Sequence, residues 1–182
     1  MGPTLETARL ILRPPREEDL DGWEELLGDA ETARFIGGVR SRPEAWRAMM
    51  TMAGSWALKG FAMFSVIEKA SGRWIGRVGP WVPEGWPGTE VGWSLVRRAW
   101  GQGYAYESAE ATIDWAFENL GWDEVVHVIA ADNLRSQALA QRLGSVNAGP
   151  TRMPEPFHTI EADLWRQSRE QWARRTKGTG ID

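Results

Sequence analysis

The stretch TEVGWSLVRRAWGQGYAYESAEATIDWAFENLGWDEVVHVIAA, residues 89–131, decides the fold of this chain. Its first eight residues have the alternation that is typical of a strand. Over 105–120 the apolar residues fall on one face of a helix, which Gly121 terminates. The continuous apolar run at 123–131 predicts a strand that is buried on both faces. A strand, a helix and a second strand in this order indicate a parallel crossover, as found in α/β folds.

The rest of the chain supplies further elements around this unit. Alternating apolar residues predict strands at 6–14, 61–69, 73–82 and within 157–175. Helical spacing predicts helices within 17–29, 41–57 and 133–144. The short ASG link between the second and third strands of the chain favours an antiparallel hairpin, so the sheet is expected to be mixed. Without a repeat or a linker, we expect one α/β domain over 1–182, with a core of about 5–172 and a flexible tail at 176–182.

The composition excludes several classes of function. The 182 residues are 42% hydrophobic and 25% charged, an ordinary balance for a globular protein. A net charge of −4 argues against nucleic acid as a partner, because phosphate binding requires a basic face. With no cysteine and two histidines, the chain is poorly supplied with metal ligands, and we expect no metal. It has neither a membrane-spanning apolar run nor a secretion signal, so we expect a cytoplasmic protein that does not enter a membrane.

The turn between the strand and the helix of the quoted stretch is suited to an anion. A helix leaves the N–H groups of its first turn unpaired, and its dipole makes that end positive. Gly101 and Gly103 let the backbone approach a phosphate, and Arg97 and Arg98 could add charge. The absence of a Gly-Lys-Ser/Thr ending and of a G-x-G-x-x-G pattern argues against nucleoside-triphosphate and dinucleotide loops. The turn alone is equally compatible with two solvated arginines beside a glycine turn.

Arg98–Gly103, with the sequence RAWGQG, resembles the Arg/Gln-x-x-Gly-x-Gly/Ala acetyl-CoA signature of the GNAT N-acetyltransferase superfamily. Further segments resemble the branch that contains the ribosomal-protein N-terminal acetyltransferases. They are ETARLILRP as the opening strand, EVGWSL as the fourth strand, WGQGYAYESA as the pyrophosphate loop and helix, DNLRSQALAQRLG as the Asn-x-x-Ser segment, and DLWRQSREQW as the C-terminal end. Together they cover about residues 5–172, and their order makes the resemblance specific. Ser145 departs from the family, which usually has an aromatic residue after Gly144, and we expect a tryptophan to supply that packing.

The resemblance implies a fold and a cofactor. The fold is a mixed, mostly antiparallel sheet of six to seven strands, splayed between strands four and five and flanked by about four helices. Acetyl-CoA is the implied co-substrate, with its pantetheine arm in the gap. Backbone groups of Leu95 and Val96 are expected to pair with the pantetheine, and Asn133 is expected to contact the cofactor from the other side. The pyrophosphate is expected to lie near Arg98 on the backbone amides of Gly101, Gln102, Gly103, Tyr104 and Ala105. The resemblance also favours a homodimer.

The available residue types indicate a direct transfer to an amine. Without cysteine, no acetyl-cysteine enzyme can form, so the amine must attack the thioester itself. A protonated amine has no free lone pair, and a carboxylate is the expected acceptor of its proton. Glu90, at the start of the fourth strand, is the first candidate, ahead of Glu68 and Glu161. A backbone N–H near Leu95 or Val96 is expected to stabilise the oxyanion.

The departing thiolate needs a hydrogen-bond donor. Some members of the family use a tyrosine late in the chain, but Tyr104 and Tyr106 both belong to the cofactor helix region. Ser136 matches the serine that related N-terminal acetyltransferases are thought to use. Its alternative role is to cap its own helix.

The acceptor is less well defined than the donor. The resemblance implies a primary amine, either a peptide N-terminus or a small molecule. An aminoglycoside-type antibiotic acetyltransferase and a non-catalytic acetyl-CoA-binding regulatory module are the alternatives. Five tryptophans are candidates to line an apolar acceptor cleft: Trp46, Trp56, Trp81, Trp86 and Trp93. His127 is expected to be a packed or rim residue of its strand, and His158 a loop residue.

Overall fold

The computed structural model describes residues 2–175, and the predicted tail at 176–182 lies outside them. The strands are β1 (Leu5–Glu6), β2 (Leu10–Arg13), β3 (Phe64–Glu68), β4 (Trp74–Trp81), β5 (Glu90–Leu95), β6 (Glu124–Ala130), β7 (Val146–Thr151) and β8 (Ala162–Ser168). The helices are α1 (Leu20–Gly28), α2 (Ala30–Ala33), α3 (Arg42–Lys59), α4 (Tyr104–Asn119), α5 (Leu134–Arg142) and α6 (Arg169–Arg174). All eight strands form one sheet in the order β1-β2-β3-β4-β5-β6-β8-β7.

The predicted fold class is confirmed. Among the strands of residues 2–175, only β5 and β6 pair in parallel, and α4 connects them, which is the predicted crossover. The sheet has eight strands rather than six to seven, and the described chain has six helices rather than about four. The additional elements, β1, β7, α2 and α6, are six residues or shorter, and β7 contains Gly149 and Pro150, which indicate a loop in the sequence.

The predicted strand at 6–14 is two strands. The chain turns between β1 and β2, which pair as an antiparallel hairpin. Thr7 makes this turn, because its Oγ1 accepts the N–H of Leu10 at 3.0 Å and its own N–H donates to the carbonyl of Leu10 at 3.0 Å. A hydroxyl side chain that captures a nearby backbone N–H competes with the extended ladder.

Side-chain caps fix the starts of two helices. Ser41 is the N-cap of α3, where its N–H donates to Glu44 Oε2 at 2.8 Å, and Gly60 ends the helix with a left-handed φ of +78°. Asn133 caps α5, since its Oδ1 accepts the N–H of Ser136 at 3.2 Å. Because these caps fix where α3 and α5 begin, they also fix the walls of the cavity described below.

The sheet opens between β5 and β6. Their ladder contains one residue pair, Glu90 opposite Val126, and the Val126 N–H donates to the carbonyl of Thr89 at 3.0 Å. Beyond this pair β5 and β6 are no longer paired, whereas β4 and β5 remain paired as far as Leu95. The predicted splay is therefore found, and it lies between β5 and β6 because the N-terminal hairpin adds one strand to the count.

The helices cover this sheet with a largely apolar core. α4 packs against β2, β4 and β5, and α1 packs against β4 and α3. Several tryptophans belong to the core: Trp23, Trp56, Trp74 and Trp172. No helix within residues 2–175 combines the length and the apolar character needed to cross a bilayer.

Candidate active site

A cavity of about 290 Å³ lies beside the gap between β5 and β6. Residues of β4, β5, β6, α3 and the start of α5 line it, together with the loops 35–40 and 153–160. Its size matches the lower end of small-molecule sites in proteins. Glu90 and Ser136, the two predicted catalytic residues, both line this cavity, as does Asn133.

Glu90 is a buried carboxyl group at the point where the strands separate. It is 7% exposed, and one carboxylate oxygen accepts the indole N–H of Trp86, while Oε1 accepts the N–H of Val128 at 3.4 Å. Burial raises the pKa of Glu90 to about 7, although the hydrogen bonds from Trp86 and Val128 and the charge of Arg77 act in the opposite direction. A carboxyl group with this pKa is close to the optimum for proton transfer at neutral pH.

Ser136 does not cap its helix through its side chain. Its N–H is bound by Asn133, and its Oγ accepts the indole N–H of Trp93 at 3.2 Å. No hydrogen bond among the described residues uses the Ser136 hydroxyl as a donor, so this proton is available to the cavity. Trp93 is therefore a positioning residue for Ser136, a role that its apolar character in the sequence did not indicate.

A buried polar network crosses the gap behind Trp93. His127 Nδ1 lies 2.7 Å from the carbonyl of Val91 on β5, and its Nε2 lies 3.0 Å from Ser145 Oγ. Gln167 Nε2 on β8 donates to Ser145 Oγ at 3.0 Å. The Val91 carbonyl can only accept, so these partners assign the proton to Nδ1 and make Ser145 the donor to Nε2. Burial lowers the pKa of His127 to about 4, which keeps the ring neutral at pH 7.

This network corrects one expectation and confirms another. Ser145, which stands where an aromatic residue is usual, is not compensated by a tryptophan; it is buried as the central member of the network with His127 and Gln167. His127 is a packed residue as predicted, at 1% exposure, and His158 lies exposed in the loop 153–160.

The turn before α4 carries six consecutive unpaired N–H groups. Among the described residues, no hydrogen bond uses the backbone N–H of any residue from 101 to 106, and the ladder of α4 starts when Glu107 N–H donates to Gly103 at 3.1 Å. Gly101 and Gly103 have left-handed φ values of +73° and +79°, and no atom lies within 4 Å of the position that a Cβ on Gly101 would take. The exposed turn is thus a concentration of donors at a positive helix end, as an anion requires.

The two arginines before this turn are engaged elsewhere. Arg98 forms a two-point ion pair with Glu25 at 2.9 and 3.1 Å and donates to the carbonyl of Trp74 at 2.7 Å. Arg97 pairs with Asp29 at 2.8 Å and Glu31 at 3.0 Å. Carboxylates on and between helices α1 and α2 thus pair with both guanidinium groups, and of the Arg98 nitrogens only Nη1 has no hydrogen-bond partner among the described residues.

Two other arginines flank the turn and make no ion pair within residues 2–175. The guanidinium of Arg135 lies 4.6 Å from the centroid of the Trp100 ring, and that of Arg142 lies 5.0 Å from the Tyr106 ring. Both are exposed residues of α5. The sequence gives no indication of this placement, because the whole of strand β6 separates α4 from α5 along the chain.

At the end of β5, the backbone N–H groups of Leu95 and Val96 point to opposite sides of the strand. The Val96 N–H donates to the carbonyl of Ile75 at 3.0 Å, and the Val96 carbonyl accepts from Ala99 at 2.9 Å, so both groups are occupied. Leu95 has the opposite orientation, since backbone groups alternate along a strand, and its N–H faces the gap, whereas its carbonyl accepts the indole N–H of Trp100 at 2.8 Å. The geometry therefore supports Leu95, and not Val96, as a residue whose backbone can pair with a ligand in the gap.

The weaker candidates lie outside this cavity. Glu68 binds Tyr104 and Ser71 on the far side of the turn, and Glu161 is exposed. Of the five candidate tryptophans, Trp81, Trp86 and Trp93 line the cavity, Trp56 is a core residue, and Trp46 is 47% exposed on α3. Within residues 2–175, no group of three or more acidic or histidine side chains is arranged to hold a metal ion.

Comparisons with known proteins identify the family of the chain. The family model for the acetyltransferase (GNAT) domain matches residues 9–146. The chain is 30% identical over 202 residues to the FsC-acetyl coenzyme A-N(2)-transacetylase of Aspergillus fumigatus, covering 96% of this chain and 80% of that protein.

Solved structures share the same architecture. An acetyltransferase from Agrobacterium tumefaciens superposes with a TM-score of 0.81 at 28% identity, covering 93% of this chain and 96% of that one. RimL, a ribosomal α-N-protein acetyltransferase solved in complex with coenzyme A, superposes with a TM-score of 0.74 at 17% identity, covering 91% and 98%. At that identity the second likeness concerns the fold alone.

Proposed function

The chain belongs to the GNAT acetyltransferase family and is an acyltransferase, and we propose that it transfers the acetyl group of acetyl-CoA directly to a primary amine. The acceptor is a peptide N-terminus or a small molecule. The observation that carries the proposal is that Glu90 and Ser136 line one cavity beside the open gap of the sheet. A non-catalytic binding module has no need of a buried carboxyl group whose pKa is near 7 beside a free hydroxyl donor.

The turn and the gap fit acetyl-CoA. The unpaired N–H groups of residues 101–105, and that of Tyr106, would hold the pyrophosphate, and the Leu95 N–H would pair with the pantetheine arm. Arg135 and Arg142 are the cations that remain available to the phosphates, whereas Arg98 orients the turn through Glu25. Asn133 acts by fixing the start of α5, because its side chain is committed to the Ser136 N–H.

Glu90 is the proposed general base. Acetyl-CoA, when bound, supplies the thioester carbonyl to which the amine nitrogen bonds as the carbon–sulfur bond breaks. The amine must lose a proton to become a neutral amide, and Glu90 is the one carboxyl group among the described residues that line the cavity. The hydrogen bonds from Trp86 and Val128 hold the carboxylate in place for this transfer.

Ser136 is the proposed donor to the departing sulfur. Trp93 occupies one lone pair of Ser136 Oγ, which leaves the hydroxyl proton free to point into the cavity. A hydrogen bond to the sulfur stabilises the charge that develops as the thiolate leaves.

The proposed function is tested by an acceptor screen that measures release of the free thiol from acetyl-CoA. We expect turnover with at least one class of primary amine. We expect Ser136→Ala to lower kcat by about 10- to 100-fold at saturating acetyl-CoA, with unchanged affinity for coenzyme A. Leu134→Ala, an exposed neighbour on α5, serves as the control and is expected to retain kcat. Full kcat in Ser136→Ala would exclude Ser136 as the donor, and coenzyme A binding without turnover on any amine would contradict the proposed acetyl transfer.

Sedimentation velocity tests the homodimer that we propose from the family resemblance.

A further inference from the structure

The charge of the cavity is a feature that the transfer reaction does not explain. Among the described residues that line it, the charged side chains are Arg40, Arg77 and Glu90. A reaction on a protonated amine calls for negative charge, yet two of these three groups are cations. The two arginines therefore require a separate account.

Arg77 is an unpaired cation inside a strand. It lies in the middle of β4, opposite Ser94, and its guanidinium carbon packs 5.0 Å from the centroid of the Trp23 ring. Its Nε is fully buried without a partner, and no hydrogen bond or ion pair within residues 2–175 includes its other nitrogens. Burial, together with the nearby Arg40 cation, lowers the pKa of Arg77 to about 10, so the group remains charged at pH 7.

Arg40 lies on the loop that faces Arg77 across the cavity wall. The only hydrogen bond of its side chain among the described residues is a long one, 3.4 Å from Nη2 to the carbonyl of Ile36, and the guanidinium forms no ion pair there. Glu90 interacts with Arg77 through its charge, but it forms no direct ion pair with either arginine, and its oxygens accept instead from Trp86 and Val128. Charged groups withdrawn from water are normally paired directly, yet neither guanidinium forms an ion pair within 4 Å of a carboxylate in the described part of the chain.

Building on the proposed transfer to an amine, we infer that the acceptor carries a carboxylate or phosphate group that binds Arg77 and Arg40 while its amine lies beside Glu90. A guanidinium presents five N–H donors in a planar fork that matches a carboxylate or a phosphate at two points. The cavity of about 290 Å³ admits a small amino acid or the first residue of a peptide. A polycationic aminoglycoside is disfavoured, because it would bring further positive charge to two arginines.

The two ends of such an acceptor are coupled through Arg77. The Arg77 cation lowers the pKa of Glu90. An anionic group that pairs with Arg77 weakens this effect and makes Glu90 a stronger base at the moment the amine is in place. Recognition of the anion thus also promotes removal of the proton.

The first test compares matched acceptors on the wild-type enzyme by kcat/KM. The pairs are free amino acids with their carboxamides, tripeptide amides that begin with Asp with those that begin with Asn, and serine amide with and without an O-phosphate. We expect a preference of about 10-fold or more for the anionic member of at least one pair, and that pair identifies the source of the anion. Equal kcat/KM within all three pairs would overturn the inference and leave the acetyl transfer standing.

The second test removes the cation. Arg77→Met keeps an apolar side chain of similar length, and we expect it to lower kcat/KM about 100-fold for the preferred anionic acceptor but less than about 3-fold for its neutral partner. We expect Arg77→Lys to recover part of the loss. Arg174→Met, which removes one exposed cation on α6, is the control and is expected to change neither value. An equal loss for both acceptors would show that Arg77 supports only the fold.

Two further measurements test the inference if Arg77→Met does not fold or if no amine is acetylated. If Arg77→Met does not fold, Arg40→Met is expected to lower kcat/KM selectively for the anionic acceptor, and an unselective effect would contradict the subsite. If coenzyme A binds but no amine is acetylated, the proposed function fails, and calorimetric titration with malonate tests the subsite alone. If the wild type binds malonate and either arginine variant does not, the subsite is supported. If the wild type does not bind malonate, the subsite is refuted.

Discussion

At the scale of single residues, Glu90 shows how position converts an ordinary carboxyl group into a base. Its place at the last residue pair between β5 and β6 buries it where the sheet opens. Burial disfavours the charged form, whereas two N–H donors and Arg77 favour it, and the balance leaves the pKa at about 7. A carboxyl group at its ordinary pKa would always be ionised at neutral pH and would accept a proton less well.

The Glu90 assignment predicts a pH profile. In the wild type, kcat/KM should rise with pH through about 7 as Glu90 loses its proton. Glu90→Gln should lower kcat by about 10²- to 10⁴-fold and should lose this acidic limb. The amine of the acceptor titrates equally in both enzymes, so a difference between the profiles belongs to Glu90. Glu68→Gln, outside the cavity, should keep the limb, and an unchanged limb in Glu90→Gln would exclude Glu90 as the base.

At the scale of elements, the turn before α4 depends on backbone groups more than on side chains. Arg97 and Arg98 hold the turn against α1 and α2, while residues 101–106 present their N–H groups. The left-handed glycines give the turn its shape, because other residues adopt this conformation only at a cost of about 1 kcal/mol. The cofactor is thus expected to be held by geometry that most side-chain substitutions leave intact.

Substitution of Gly101 tests this interpretation. We expect Gly101→Ala to weaken coenzyme A binding about 10-fold or more, because the Cβ would project into the open space where the phosphate is expected to lie, and to cost about 1 kcal/mol of stability. Gly121, at the other end of α4, has a φ of +66° and equally open surroundings, so Gly121→Ala is the matched control. It should show the same loss of stability with unchanged Kd in calorimetry. Equal Kd values for the two variants would argue against the turn as the phosphate site.

At the scale of the whole molecule, β5 and β6 must be held together across the open gap by contacts other than strand pairing. The network of His127, Ser145 and Gln167 does this, since it ties the Val91 carbonyl of β5 to β6, to the end of α5 and to β8. Each buried polar group in it has a partner, and a fully bonded buried network fixes geometry well. It lies beside Trp93, whose ring is 4.7 Å from that of His127, and through Trp93 it supports Ser136.

This network predicts a dependence of stability on acid. The pKa of His127 is lowered from 6.5 to about 4 in the folded protein, so between these values the unfolded chain binds more protons. Stability should therefore fall as the pH drops from 6.5 to 4, by on the order of 3 kcal/mol from this group. Urea unfolding at a series of pH values should show a shallower dependence in His127→Gln and an unchanged one in His158→Gln. The same slope in all three proteins would contradict a buried neutral His127.

The sequence alone determined the longer elements and their order, and it indicated the turn before α4 as a candidate anion site. Helical and strand periodicities, the Ser41 and Asn133 caps and the glycine turn are local signals, and local signals survive without knowledge of the fold. The crossover of residues 89–131 follows from them. The expectation of acetyl-CoA came separately, from the resemblance of RAWGQG and the further quoted segments to the GNAT family. The short elements were not predicted, because two to six residues carry little periodicity.

Only the tertiary structure decided which side chains are free. Arg98 is engaged by Glu25, 73 residues earlier, whereas Arg135 is brought beside the turn from the next helix. Arg77 is visible in the sequence as a charge within an otherwise apolar strand. Its role could be inferred only from the fold, which gives its side chain no direct ion-pair partner among the described residues. The function of a charged group is set by the group that lies opposite it, and long-range packing, not local pattern, determines that neighbour.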